Sequence, residues 1–579
     1  MSDGKIGYTV ASDSEAVSDD VEGSTPFVET AIGIDVGTCE CRVAVWRDSK
    51  VELLQNPGGE RMMPSYVLFQ GDTPSTGVSS NIPYHHPLEL LSGSAIFNVK
   101  RLIGRMDTDP VVHNSKNLPF KIETLEIGVR PFIAALSGGV WRSTTPEEVL
   151  AILLVELRAM AEVQLGRAVR NVVLTMPVSF SRFQQTRIER ACAMAGLHVL
   201  RMMPEPTAAL LLYAQHQQMV PQGNSGSVSE KLAVIFNMGA GFCDVAVAAT
   251  AGGVSQIKAL AGAAIGGEDI LQNVMRYVAP EIYPLSVSKS GEAARIVGML
   301  RIATQNAIHT LSSHDSASIE IDLSNEMKIS NTLLRNDFEK INYEVFQKCE
   351  NLIAQCLHDS QIDVENIADV ILVGGCSHIP KIRSLLLSLC QSKAVYEGLK
   401  PLEAAVCGAA LEGAIASGVC DPNLELLTIQ ATPLSLGVRA DGTNVISIVH
   451  RNATIPASKD AYFTTSYDNQ SDALIIAYEG EGKKMGENHL LGFFKLSGIP
   501  PAPRGVPLIN VCMDVDAANV LRVFAGVTMP ESKTPVIPYV EVRMPNIDDG
   551  HGWGIEALLK KYGTSLDICT AQKYPQKQE

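Results

Sequence analysis

Two distant stretches of the chain repeat the same order of apolar and polar positions. Residues 34–45 read IDVGTCECRVAV and residues 236–247 read FNMGAGFCDVAV, and the two align without a gap. Each opens on apolar residues, turns at glycine and continues with period-two alternation, so each predicts a β-hairpin. A polar residue, Asp35 or Asn237, precedes the turn, and glycine follows two positions on, at Gly37 and Gly239. Glycine lets the backbone approach a phosphate closely and present N–H groups to it. Two such hairpins facing each other predict a clamp for a triphosphate. The copies differ where charge matters most: a carboxylate in the first, a neutral amide in the second.

Around the hairpins, residues 31 to 420 alternate strand and helix signals. Val172–Pro177 predicts a buried strand, and a helix follows through Gln184 to Ala195. Pro146–Leu165 predicts an amphipathic helix, with Thr145 as N-cap, Pro146 at the first position and Glu148 closing a capping box. Asp369–Val373 predicts a strand running into Gly374 and Gly375, with a helix from Ile379. That layout suits phosphate, but alone it is a weak signal.

Past Gly418 the pattern changes. Residues 421–430 read as a linker. From Pro433 to Val542 the helix signals nearly vanish, and alternating strands recur at Tyr462–Tyr467, Ala473–Glu479, Leu508–Asp514 and Val520–Phe524. This is the pattern of an antiparallel β-sandwich, with Pro500–Pro507 as a stiff loop between strands. Residues 544–579 hold one short helix candidate, Ile555–Tyr562, within a polar, turn-rich stretch expected to fray. Residues 1–29 are rich in Ser, Asp and Glu and read as a disordered acidic tail, neither a secretory signal nor a transit peptide.

Composition narrows the function classes. A chain of 579 residues is too long for a single core and divides into domains. A net charge of −16 argues against nucleic acid as a partner. No apolar run is long enough to span a membrane. The twelve cysteines form no CxxC pair, which suits reduced thiols in the cytoplasm, with the nucleus as a further compartment.

Eight segments resemble, in order, the seventy-kilodalton heat-shock family of DnaK-type chaperones: GIDVGTCECRVAVW, RMMPSYVLF, FNVKRLIGR, MAGLHVLRMMPEPTAA, VIFNMGAGFCDVAVA, VILVGGCSHIPKI, ATPLSLG and IPPAPRGVPLINV. The resemblance runs from Ala31 to Val542. It implies an α/β actin-like (duplicated ribonuclease-H-like) ATPase domain over residues 30–420. A linker over 421–430 joins it to a β-sandwich over 431–543 that grips extended apolar peptides. A sugar kinase on the same actin-like frame fits the hairpins, but does not explain ATPLSLG, IPPAPRGVP and a sandwich after them.

The resemblance also implies site residues. Asp35 matches the aspartate that holds a magnesium ion through water. Lys100 matches the lysine at the γ-phosphate, Glu205 a carboxylate near the metal, and Asn237 stands where the second hairpin's aspartate is usual. Gly37, Thr38, Cys39, Gly239, Gly241, Gly266, Gly267, Ser312, Gly374, Gly375 and His378 match positions around ATP or ADP. Pro177, Arg201, Leu426 and Leu427 match positions that couple nucleotide to linker. Val438, Ala440, Phe463, Ala473 and Ile475 match the peptide cleft. Extended apolar peptides, J-domain proteins and nucleotide-exchange factors are the implied partners.

Departures from the family pattern lower the expected nucleotide chemistry. Asn237 cannot accept a proton. Phe242 replaces a hydroxyl and is expected to put a ring near the triphosphate path. The adenosine clamp reads Gln305, Ile308, His309 and Ser312, with His378 and Leu402 replacing charged residues. Ala473 and Ser466 shrink two cleft positions, and the family's long helical lid is missing from residues 544–579. Two readings follow: a chaperone with a slow ATP cycle, or an ATP-independent holdase or pseudo-ATPase scaffold.

Overall fold

The structure, a computed structural model, describes residues 29–70, 73–77, 93–124, 130–219, 230–281, 291–322, 328–391, 393–530, 532, 535–545 and 566–571. The acidic tail before Glu29 and the helix candidate Ile555–Tyr562 lie outside the described residues.

The repeated sequence pattern folds into a repeated sheet. In the first lobe, β1 (Ile32–Val36), β2 (Glu40–Arg47), β3 (Lys50–Leu53), β4 (Asn171–Met176) and β5 (His198–Pro204) take the order β5-β4-β1-β2-β3. In the second, β6 (Lys231–Met238), β7 (Cys243–Ala251), β8 (Val254–Ala263), β9 (Ile367–Val373) and β10 (Leu427–Ile429) take the order β9-β6-β7-β8-β10. Each hairpin sits mid-sheet with a parallel strand on its first arm, β4 beside β1 and β9 beside β6. The turns close alike: Gly37 N–H donates to Glu40 O and Gly239 N–H to Phe242 O, both at 3.0 Å. Asp35 then faces Arg42 across the first hairpin, and Asn237 faces Asp244 across the second.

Capping sets the helix starts. α1 (Pro146–Leu165) begins at the expected Thr145–Glu148 capping box, and α2 (Arg182–Met194) at a second box made by Ser181 and Gln184. α3 (Glu205–Met219) follows β5. α4 (Gly267–Val278) and α5 (Gly291–Leu311) belong to the second lobe, as does α6 (Tyr343–Ser360). After Gly374 the chain makes a short 3₁₀ turn, Gly375–His378, before the next helix begins at Pro380.

α3 and α7 (Ala404–Ala416) run between the two sheets. Small residues let them approach: a methyl group on Gly408 would stand 1.9 Å from Ala208 O, and one on Gly33 2.3 Å from Ala410 N. Their apolar side chains share one core with Ala44 and Val173 of the first sheet and Ile235 and Ala246 of the second. This shared core fixes the two hairpin turns relative to each other.

Within the segment expected to be a linker, Pro422–Leu424 make a 3₁₀ turn and Leu427–Ile429 form a strand. β10 pairs in parallel with β8, Leu427 beside Val254 and Ile429 beside Gln256. Leu426 is buried against the inter-lobe core, whereas Leu427 is 57% exposed.

The rest is a sandwich. One sheet orders β11 (Leu436–Ala440), β12 (Asn444–Val449), β14 (Asp472–Glu479) and β15 (His489–Ser497) as β12-β11-β14-β15. The other contains β13 (Ala457–Thr465), β16 (Leu508–Val515), β17 (Leu521–Thr528), β18 (Ile537–Met544) and β19 (Ile568–Thr570), ordered β18-β17-β16-β13-β19. Alternation sends Ile509, Val511, Met513 and Val515 inward. The polar, turn-rich composition of residues 544–579 predicts a frayed end, yet β19 forms there and pairs with β13 as the last strand of this sheet.

The sandwich rests on the lobes. Leu260 N–H donates to Asn452 Oδ1 at 2.8 Å, and Arg451 pairs with Asp359 on α6.

Candidate nucleotide cleft and peptide cleft

Four expected residues meet between the hairpins. Lys100 Nζ lies 2.7 Å from Glu205 Oε1, and Asn237 Nδ2 donates to Glu205 Oε2 at 2.6 Å. Asp35 Oδ1 accepts from Thr175 Oγ1 at 2.6 Å. Burial, then the nearby Glu205, pushes the Asp35 carboxyl above its usual range, against the pull of Lys100. Burial pulls Lys100 down, but Glu205 and Asp35 outweigh it and keep the ammonium charged.

A further carboxylate belongs to this cluster and escaped the sequence reading. Asp244 is fully buried, and its Oδ1 accepts from Val178 N–H at 3.1 Å. Its Oδ2 is buried without a hydrogen bond. Burial, reinforced by Glu205, raises this carboxyl well above the ordinary range. The hairpin alignment held the signal, since Asp244 occupies the place of Arg42 in the first copy.

The turns themselves converge. A methyl group on Gly241 would stand 2.3 Å from Thr38 Oγ1, and one on Gly266 2.4 Å from Ala240 O. Gly37, Thr38, Gly239, Gly241, Gly266 and Gly267 therefore form one backbone cradle. Gly239 has open space where a Cβ would be. Cys39 is exposed beside Thr38, and Cys376 Sγ reaches Gly239 O at 3.3 Å. Gly374, at φ +83°, packs against Met238 O and the Asn237 amide.

Phe242 departs from expectation. Its ring is 3% exposed and sits edge-on to Phe180 at 5.3 Å, in the core of the first lobe. An aromatic ring gains more there than beside a charged phosphate.

Two latches cross the cleft, neither anticipated from sequence. Arg101, next to Lys100, grips Asp269 of α4 with two bonds of 2.9 and 3.0 Å. Arg301 of α5 stacks over Phe97 at 4.8 Å and pairs with Glu268. Burial alone would raise Glu268; Arg301 and Gln272 hold it down to about 2.

The adenosine side is thin. Gln305, His309 and His378 are exposed. Leu402 is 43% exposed, with Cδ2 at 3.7 Å from where a Cβ on Gly375 would lie. Ser312 Oγ turns back to Ile308 O at 3.3 Å. Pro177 ends the strand that carries Thr175, and Arg201 pairs with Glu412 of α7.

The residues present fit a magnesium nucleotide on its phosphate side. The cradle offers N–H groups, and the orphaned Asp244 oxygen invites a cation or its water. Among the described residues no three His, Cys, Asp or Glu side chains are arranged to hold a metal ion directly. That suits magnesium, which keeps several waters and is shared with phosphates.

In the sandwich, Val438, Ala440, Phe463, Ala473 and Ile475 are all buried and share one core. Ile568 of β19 belongs to that same core.

Comparison with known proteins identifies relatives of the whole chain. The Hsp70 protein family model matches residues 31–540. The chain is 60% identical to heat shock 70 kDa protein 8 of Arabidopsis thaliana over 569 residues, 98% of this chain and 99% of that relative. It is 36% identical to heat shock cognate 70 kDa protein 3 of Dictyostelium discoideum over 507 residues, 86% of this chain and 78% of that protein. Heat shock 70 kDa protein of Neurospora crassa is 35% identical over 500 residues, covering 86% of this chain and 75% of its own length. Two actin-like lobes, a pair of converging glycine turns and a β-sandwich stand together in the family's order, and the chain belongs to the Hsp70 family of molecular chaperones.

Proposed function

We propose that this chaperone binds magnesium-ATP and ADP weakly, hydrolyses ATP slowly, and holds extended apolar segments of unfolded proteins in its sandwich. The observation that carries the reading is the Asn237–Glu205 hydrogen bond of 2.6 Å. Asn237 spends its amide N–H on a carboxylate and has no basic atom with which to take a proton. A missing acid–base group costs roughly 10²–10⁴ in rate.

Bound magnesium would neutralise charge developing on the transferred phosphoryl group. Asp35 and Asp244 would hold its waters, and Lys100 would face the γ-phosphate once Glu205 shares it. The cradle from Gly37 to Thr38 and from Gly239 to Gly241 would bind phosphate oxygens through N–H groups. On the adenosine side Ile308, His309, His378 and Leu402 offer little charge. Each lost hydrogen bond weakens binding by about 0.5–1.5 kcal/mol.

Extended apolar peptides, J-domain proteins and nucleotide-exchange factors are the partner classes of this reading. Cytoplasm and nucleus are its compartments, supported by twelve cysteines that are all free thiols. No described helix is long and apolar enough to cross a membrane.

Calorimetric titration with magnesium-ATP, joined to a single-turnover assay, tests the reading. Weak binding with slow product formation is expected. Tight binding with rapid hydrolysis would overturn it.

A further inference from the structure

β19 is a minimal strand with the contacts of a ligand. It runs antiparallel to β13, with Thr465 opposite Ile568, Thr464 opposite Cys569 and Phe463 opposite Thr570. It also bonds to the other sheet: Asp441 N–H donates to Ile568 O at 3.0 Å, and Thr570 N–H donates to Asp441 Oδ1 at 3.2 Å. Gln470 Nε2 donates to Asp567 O at 3.0 Å. The segment therefore spans the opening between the two sheets. Ile568, 1% exposed, enters the core made by Val438, Phe463, Ala473 and Ile475. Ala473 and Ile568 belong to the same core.

The polar contacts are selective. Arg439, 3% exposed, pairs with Asp567 immediately before the anchor. Asp441 accepts the Thr570 hydroxyl two residues after it. Removing Asp567 without a replacement would leave a guanidinium buried and unpaired, which is costly. Whatever replaces the segment must bring an anion to Arg439.

We propose that residues 567–571 are an internal ligand of the peptide cleft, and that the cleft selects clients in which a carboxylate precedes a β-branched aliphatic residue. The proposal rests on the reading of the sandwich as a peptide binder and names the substrate class of that site. A strand of three residues with one aliphatic anchor holds by proximity: a tethered segment competes at an effective concentration on the order of millimolar. A client peptide must displace it, by adding its own strand to β13. Tethered occupancy would also keep the cleft shielded between clients.

The test uses a fluorescent peptide of residues 565–572 with Cys569 replaced by serine, a version of it with Lys in place of Asp567, and an uncharged leucine-rich heptapeptide. A chain lacking residues 566–579 should bind the first peptide at least tenfold more tightly than the full chain. It should prefer Asp over Lys, and Arg439→Gln should erase that preference. In the full chain, hydrogen exchange of amides 568–571 should be slow and should accelerate when the peptide saturates. Equal binding by both chains, no Asp preference, or protected 568–571 amides with peptide bound would each overturn the proposal. If the leucine-rich peptide binds the shortened chain while those effects are missing, only the internal-ligand proposal fails. If neither peptide binds a shortened chain of intact circular dichroism, the peptide-binding reading fails with it.

Discussion

Arg182 and Glu479, 297 residues apart, form a buried ion pair between the nucleotide lobes and the sandwich. Arg182 opens α2, and its backbone N–H also donates to Glu479 Oε2 at 2.7 Å. Its guanidinium reaches Asn519 Oδ1 at 2.5 Å in the turn joining β16 and β17 of the second sandwich sheet. The Arg182 side chain is 4% exposed and the Glu479 side chain is fully covered. One arginine thus ties the first lobe to both sheets of the sandwich, while β10 ties the connecting segment to the second lobe.

Removing one partner of such a pair should open the domains. An unpaired buried charge costs about 3–5 kcal/mol, and separating the domains would hydrate it instead. Glu479→Gln should enlarge the radius of gyration and speed proteolysis across residues 421–430. Pairing Arg182→Met with Glu479→Leu should restore the compact form, since both charges are gone. A compact single variant with unchanged proteolysis would contradict this account.

Asn237→Asp should raise the rate of ATP hydrolysis, by up to roughly 10²-fold or more if proton transfer limits it. The new carboxylate would lie beside Glu205, Asp35 and Asp244, so the gain should require magnesium. Adding Phe242→Thr should not help. That ring fills the first lobe's core against Phe180, and truncating a buried Phe costs about 3–5 kcal/mol. Single-turnover kinetics with thermal melts separate the two effects. An unchanged rate in Asn237→Asp would place the defect elsewhere.

What could be read from sequence follows from what has a period. Both hairpins, α1 with its Thr145–Glu148 box and the long sandwich strands repeat every two or 3.6 residues, so they stand out. Asp35, Lys100, Glu205 and Asn237 sit in motifs, and they meet in space. β19 has only Ile568, Cys569 and Thr570, too few to show alternation. Leu427–Ile429 is equally short, and its pairing with Val254–Gln256 depends on where the lobe's edge lies. Arg182–Glu479 and Arg101–Asp269 are charges far apart in the chain, and nothing local marks either pair. Phe242 was misplaced because its motif lies at the phosphates while its rotamer follows the core.

His378→Arg should tighten nucleotide binding. His378 is exposed in the 3₁₀ turn after Gly375, so a longer cation has room to reach the adenosine side. For the wild-type chain, ATP at three times Kd stabilises by about 0.8 kcal/mol. At about 2.1 cal/mol/K of unfolding entropy per residue, a domain of roughly 390 residues shifts by about 1 °C per kcal/mol, so that ATP concentration should raise Tm by only about 1 °C. The variant should show a larger shift at the same ATP concentration. No added shift would argue that the clamp fails at Ile308 or Leu402 instead.

Asp244→Asn should stabilise the protein at neutral pH. Burial and Glu205 raise the Asp244 carboxyl well above 3.8. A carboxyl with a raised folded pKa destabilises the fold while pH lies above that pKa. Stability returns as pH falls through the folded pKa and approaches the unfolded value. Asp35, also raised, acts in the same direction. Glu268 acts in the opposite one: held at about 2 against 4.5 when unfolded, it loses its contribution only as pH drops between those values. The wild-type chain should therefore gain stability on mild acidification before acid unfolding begins. Asparagine keeps an oxygen for the Val178 N–H and carries no charge, so the variant should melt higher than wild type near pH 7.5, and that advantage should shrink as pH falls toward 3.8, the unfolded value. Melting curves across this window decide the matter. A lower Tm for Asp244→Asn at pH 7.5 would mean that the carboxylate is ionised at no cost and held by a cation in the folded protein.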